Sequence, residues 1–166
     1  MNNLVWKYVK RRSSLEEIRK VEQELGVGFP TDYVECVLVN DGGRPRPNEV
    51  QLPSGHEVVF GVLLSFAEDD SNSLIESYRI LEERLPTGVV PFADDPSGNC
   101  FCFDFSQDKD NPSIVFWYHE YALAREDYEY EGLGDSGKSY EEVLREEAIR
   151  PVCGSFTELL SMLKEL

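Results

Sequence analysis

The sequence predicts a single domain in which a sheet centred on an antiparallel hairpin packs against helices. Three observations predict it. Residues 89–105, VVPFADDPSGNCFCFDF, read as strand, tight turn and strand. Within them Phe101, Phe103 and Phe105 recur at period two, opposite Cys100, Cys102 and Asp104, as in a strand with one face pinned against apolar neighbours. Amphipathic stripes opened by Ser-x-x-Glu caps lie both before and after this hairpin. A chain of 166 residues is long enough to bury a sizeable core, and no linker, internal repeat or low-complexity tract divides it.

The elements follow in order. Ser13 with Glu16 makes a capping box, after which Leu15, Ile18, Val21 and Leu25 keep helical spacing until Gly26 stops the helix. Pro30 or Thr31 opens a second helix with the stripe Tyr33, Val34, Val37 and Leu38, ended by Asn40-Asp41-Gly42-Gly43; the short connector predicts a helical hairpin. The three prolines between Arg44 and Ser54 predict a loop, with a short edge strand near Glu49–Leu52. His56 to Phe66 reads as one strong strand, with Val58, Phe60, Val62, Leu64 and Phe66 on one face. Ser73 with Glu76 caps a third helix through Leu74, Tyr78, Leu81 and Leu85 that ends before Pro86. The hairpin comes next: Val89 to Ala93 suits a buried strand, and Asp95-Pro96-Ser97-Gly98 has turn residues. Ser113 to His119 predicts a further strand antiparallel to its predecessor. In Tyr121 to Ser139, Tyr128 and Tyr130 at period two fit either an edge strand or a mobile segment. Ser139 with Glu142 and Ser155 with Glu158 cap two last helices, carrying Tyr140, Val143, Leu144 and Phe156, Leu159, Leu160, Leu163.

Composition narrows the function classes. No apolar run approaches the roughly 20 residues of a membrane span, and Met1 to Arg12 lacks the hydrophobic region of a signal peptide, so the expected location is cytoplasmic. Cys36, Cys100, Cys102 and Cys153 form no C-x-x-C pair, and His56 and His119 lie far apart. Free thiols are expected, with no metal and no cofactor. The net charge of −16 is unevenly spread: residues 1–12 carry +4, and ten acids face only three cations between Glu120 and Glu147. Such a surface disfavours direct nucleic-acid binding and favours a basic protein partner, although acidity can equally serve solubility alone.

Several blocks together resemble the SUKH superfamily, the Smi/Knr-type domain. Leu25 to Gly43, LGVGFPTDYVECVLVNDGG, resembles its amino-terminal signature. VVPFADDPSGNCFCFDF resembles the second block, IVFWYHE at Ile114–Glu120 the third, and SFTELLSML the closing helix. The resemblance implies an α+β fold: one domain over 1–166, a largely antiparallel β-sheet flanked by helices, an N-terminal helical hairpin and a C-terminal helix. The chain departs from the shortest members by being longer between Glu120 and Arg150, which reads as an acidic, family-variable insertion around 120–150. Its members include regulators of fungal cell-wall synthesis and bacterial immunity proteins that neutralise polymorphic toxins, often nucleases. The shared motifs are structural, so the resemblance carries over no catalytic residue.

Asp94, Asp95 and Asp104 do not have the spacing of a calcium loop and read as turn-forming groups. His119 beside Glu120 has no identifiable nucleophile, and Gly132, Gly134 and Gly137 do not make a phosphate loop. No enzyme is expected. The preferred partner-binding residues are Glu126, Asp127, Tyr128, Glu129, Tyr130 and Glu131, where tyrosines supply apolar area and carboxylates can meet Arg and Lys; Glu68, Asp69 and Asp70 make a second patch. The expected function is an immunity protein that binds a cognate basic toxin, as a monomer or weak dimer. The alternative is a regulatory or scaffolding interaction module without a toxin partner.

Overall fold

The structure is a computed structural model that describes residues 3–132 and 137–165. Its centre is a four-stranded antiparallel sheet in the order β5 (Val89–Asp94), β6 (Cys100–Asp104), β7 (Ser113–Trp117), β8 (Ile149–Cys153). In β6 the period-two alternation sends Phe101 and Phe103 to one side of the sheet and Cys100 and Cys102 to the other, and both sides are buried. The hairpin turn is closed by Asp95, whose carboxylate accepts the amides of Ser97 at 2.9 Å and Asn99 at 2.8 Å. Gly98 supplies the left-handed φ of 89° that lets the chain reverse.

The first side holds the larger core. Helices α1 (Leu15–Leu25), α2 (Thr31–Asn40) and α6 (Phe156–Met162) bring Ile18, Val21, Tyr33, Val37, Phe156 and Leu159 onto the phenylalanines of β5 to β7. Phe92 stacks on Phe103 with ring centroids 4.3 Å apart, and Tyr33 meets Phe103 edge-on at 5.0 Å. The second side is smaller. Cys102, Val115 and Trp117 are covered there by Tyr140, Leu144 and Ala148 of α5 (Tyr140–Ala148) and by Leu85, which follows α3 (Leu74–Leu81). Outside the main sheet, β1 (Val5–Lys7) pairs with β2 (Arg44–Arg46), and β3 (Glu49–Gln51) pairs with β4 (Glu57–Val59).

The α+β class, the hairpin and the helices beginning near residues 31, 74, 140 and 156 agree with the expectation from sequence. Four local readings are corrected. The first capping box is Ser14 with Glu17, because the Ser13 hydroxyl is buried and donates to the Val37 carbonyl at 2.9 Å. The strand expected over His56 to Phe66 ends at Val59. Beyond it Gly61, Val62 and Leu64 bond to Asp94 and Phe92 beside β5, and a Cβ on Gly61 would stand 2.7 Å from the Asp94 carboxylate. Tyr128 and Tyr130 lie on neither an edge strand nor an irregular segment but on a helix, α4 (Arg125–Tyr130). Finally, β1, β2 and β8 are strands where none was expected. Of the three glycines near Lys138, Gly134 lies outside the described residues.

Candidate functional site

The second core's cover carries most of the expected partner-binding residues. After β7 a 3-10 turn (His119–Tyr121) leads into α4, and three groups hold this crossing to the sheet. Arg84 donates to the carbonyls of Ala122 at 2.8 Å and His119 at 2.5 Å, and its guanidinium lies over the Trp117 ring. The Trp117 indole N–H returns a bond to the Arg84 carbonyl at 3.0 Å. Tyr140 donates to the Leu123 carbonyl at 2.7 Å. The start of α5 is fixed by Arg145, which reaches Asp104 at 3.0 Å, Glu141 at 3.1 Å and the Thr87 carbonyl at 2.7 Å.

Tyr128 faces inward: its ring lies 5.4 Å from that of Tyr140, and its hydroxyl donates to the Lys138 carbonyl. At 100° per residue this leaves Glu126 and Tyr130 pointing away from the protein, flanked by Asp127, Glu129 and Glu131. Tyr130 is 91% exposed and all four carboxylates are exposed. Among the described residues the one ion pair on the helix is a loose one, Arg125 to Glu129 at 3.6 Å. Beside α4 a cleft of about 490 Å³ opens toward α5, with Tyr121, Leu123 and Val143 at its apolar wall and Glu131, Glu146 and Glu147 on its rim. Lys138 bonds Glu146 at 2.6 Å, whereas no cation among the described residues pairs with Glu131 or Glu147. Five of the nine residues expected to bind a partner therefore share one short helix, with Glu131 as its C-cap; Tyr128 turns inward and the other five are exposed.

The other three do not join them. Glu68, Asp69 and Asp70 lie in a turn against the N-terminal segment, where the charge of Asp70 is answered and that of Glu68 loosely so. Lys10 holds both oxygens of Asp70, at 3.0 and 3.2 Å, and Lys20 stands 3.6 Å from Glu68. Burial would raise the Asp70 carboxyl, but the Asn72 amide and Lys10 outweigh it and hold it below its ordinary value. Asp70 is a structural anchor. The cleft groups Tyr121, Glu146 and Glu147 escaped the sequence reading, since only the folded proximity of α4 and α5 makes them part of one surface.

Residues 12–162 match the profile of the SMI1/KNR4 family (SUKH-1). The chain belongs to that family. It is also similar to the SPbeta prophage-derived uncharacterized protein YokK of Bacillus subtilis (strain 168), with 24% identity over 131 residues. That match covers 68% of this chain and 66% of the relative, just short of two thirds of the relative's length.

Burial pushes the Cys100 thiol up to about 12 and those of Cys36 and Cys153 up to about 11, which leaves almost no thiolate at neutral pH. Asp94 is raised by burial, and its carboxylate accepts the Val62 amide at 2.8 Å in a structural role. No group of three or more His, Cys, Asp and Glu side chains is placed to hold a metal among the described residues, and no helix there is long and apolar enough to cross a membrane.

Proposed function

We propose that this SUKH-1 protein is an immunity protein that binds a cognate polymorphic toxin through the α4–α5 face and blocks the toxin's active or substrate-binding surface. The observation that carries the reading is the exposed helix whose three carboxylates, with that of its C-cap Glu131, surround an outward tyrosine, set beside an apolar cleft with an acidic rim. A basic toxin domain, such as a nuclease whose own surface must attract phosphates, complements that face in charge. The tyrosines add contact area at little entropic cost. A relative described as prophage-derived fits a gene that travels with mobile elements.

Titration calorimetry against the product of the adjacent open reading frame, together with rescue of growth arrest when the two are co-expressed, tests the reading. The quadruple variant Glu126→Lys, Asp127→Lys, Glu129→Lys, Glu131→Lys is expected to slow association at low salt at least tenfold with an unchanged melting temperature. Unchanged association would remove this face from the interface. Failure to bind or to rescue, with several other partners in a pull-down, would favour a scaffolding module.

A further inference from the structure

The opposite sign of charge is concentrated on the β1–β2 ribbon, which lies partly ahead of the span that matches the family. In its register Val5 stands opposite Arg46, Trp6 opposite Pro45 and Lys7 opposite Arg44. Trp6 turns inward, its ring 6.0 Å from that of Phe60, so the alternating Val5 and Lys7 turn outward. Lys10 and Arg11, just beyond, are committed to Asp70, Asp41 and Glu17. Lys7, Arg44 and Arg46 have no carboxylate within ion-pair distance among the described residues, although Asp94 senses the field of Arg44 from farther off. Like charges set directly across a strand pair repel, so the ribbon holds a positive field that Asp94 offsets only from a distance.

Two further features belong to the same ribbon. Tyr8 is 73% exposed and has φ 55°, a strained conformation for a non-glycine residue, with its ring outside the core. The strand β1 is also bonded along one edge only, since among the described residues no backbone bond other than the β2 ladder reaches residues 3–9. Pro45 has no N–H, so the ladder bonds fall on the flanking pairs, and the N–H and C=O of Trp6 face the open edge.

We propose that this open edge takes up an extended acidic segment of a partner protein as a third strand. Its backbone pairs with β1, its carboxylates lie against Lys7 within the field of Arg44 and Arg46, and its apolar side chains meet Val5 and Tyr8. A second copy of this chain fits poorly, because edge-to-edge pairing would set two positively charged ribbons side by side. Extended polyanions such as nucleic acid or an anionic membrane would face the whole body, whose net charge is −16. A short segment feels mainly the charges within a screening length of about 8 Å. This surface is separate from the α4–α5 face and does not depend on the toxin reading.

The test uses the full chain, isotopically labelled, titrated with a seven-residue peptide of alternating glutamate and valine. Amide shifts centred on Leu4 to Tyr8 are expected. The double variant Lys7→Glu, Arg44→Glu, or the same peptide N-methylated at alternate amides, should weaken binding at least tenfold, and toxin binding should be untouched by the double variant. Absence of shifts at millimolar peptide would overturn the proposal. So would equal binding of the N-methylated peptide, binding of the all-lysine counterpart, co-sedimentation with phosphatidylserine vesicles, or dimerisation through Lys7.

Discussion

The two sides of the central sheet are held by different physics. On the first, Phe92, Phe101, Phe103 and Phe116 interlock with Tyr33, Phe29 and Phe156, and stability comes from aromatic area removed from water and from edge-to-face and stacked ring pairs. On the second, a smaller apolar set is roofed by helices whose attachment relies on Arg84, Arg145, Trp117 and Tyr140 bonding to backbone carbonyls and a carboxylate. The first side can be dense because its packed surfaces are almost wholly apolar, the buried Tyr33 hydroxyl apart. The second can carry a helix with an almost wholly polar outer face, because its fastening lies in a few directed bonds rather than in broad apolar burial. The candidate interface stands on the side that contributes less of the core.

The sharpest way to break this contrast is to truncate each side in turn. Phe103→Ala removes a fully buried ring stacked on Phe92 and touching Tyr33, and is expected to cost about 3–5 kcal/mol, read by chemical denaturation. Arg145→Met should cost less, about 1–3 kcal/mol, by leaving the Asp104 carboxylate without its cation. The same variant should make Cys100 and Cys102 react faster with thiol reagents under native conditions, and Asp104→Asn in the same chain should restore part of the loss. If Arg145→Met equals or exceeds Phe103→Ala, the proposed division of labour is wrong. The smallest effect concerns pH. The hydrogen bond from Arg11 holds the Glu17 carboxyl below its ordinary value against the opposing effect of partial burial. A carboxyl so depressed contributes stability above its unfolded pKa and loses it as pH falls through the folded one. Glu17→Gln should therefore flatten the acid limb of the stability profile, measured by melting between pH 3 and 6, with little change in the aromatic core.

The aromatic side was legible in sequence because its signals are local. Phe101, Phe103 and Phe105 alternate within one strand, and Ser73, Ser139 and Ser155 each stand three residues before the glutamate whose amide they accept. What escaped depends on contacts distant in sequence. Ser13 and Ser14 both begin a Ser-x-x-Glu pattern, and only the Val37 carbonyl, met after folding, decides that Ser13 is occupied elsewhere. Strand β8 carries Pro151 and a weak pattern of its own, and it becomes a strand because β7 offers it an edge. Tyr128 and Tyr130 suggested period two, while Arg125 and Glu129 at i and i+4 were the helical signal in the same stretch. The acidic surface was found from charge alone, but charge could not show that Lys10 and Lys20 reach the carboxylates of Asp70 and Glu68 while those of α4 stay largely open.

The two tryptophans happen to sort with the two sides. Trp117 is fully buried in the second core under the Arg84 guanidinium, and Trp6 sits at the rim of the first, on the basic ribbon. Each half of the molecule thus carries its own intrinsic fluorophore. With one indole replaced by phenylalanine at a time, emission from the other reports separately on a visitor at the ribbon and on loosening of the helical roof.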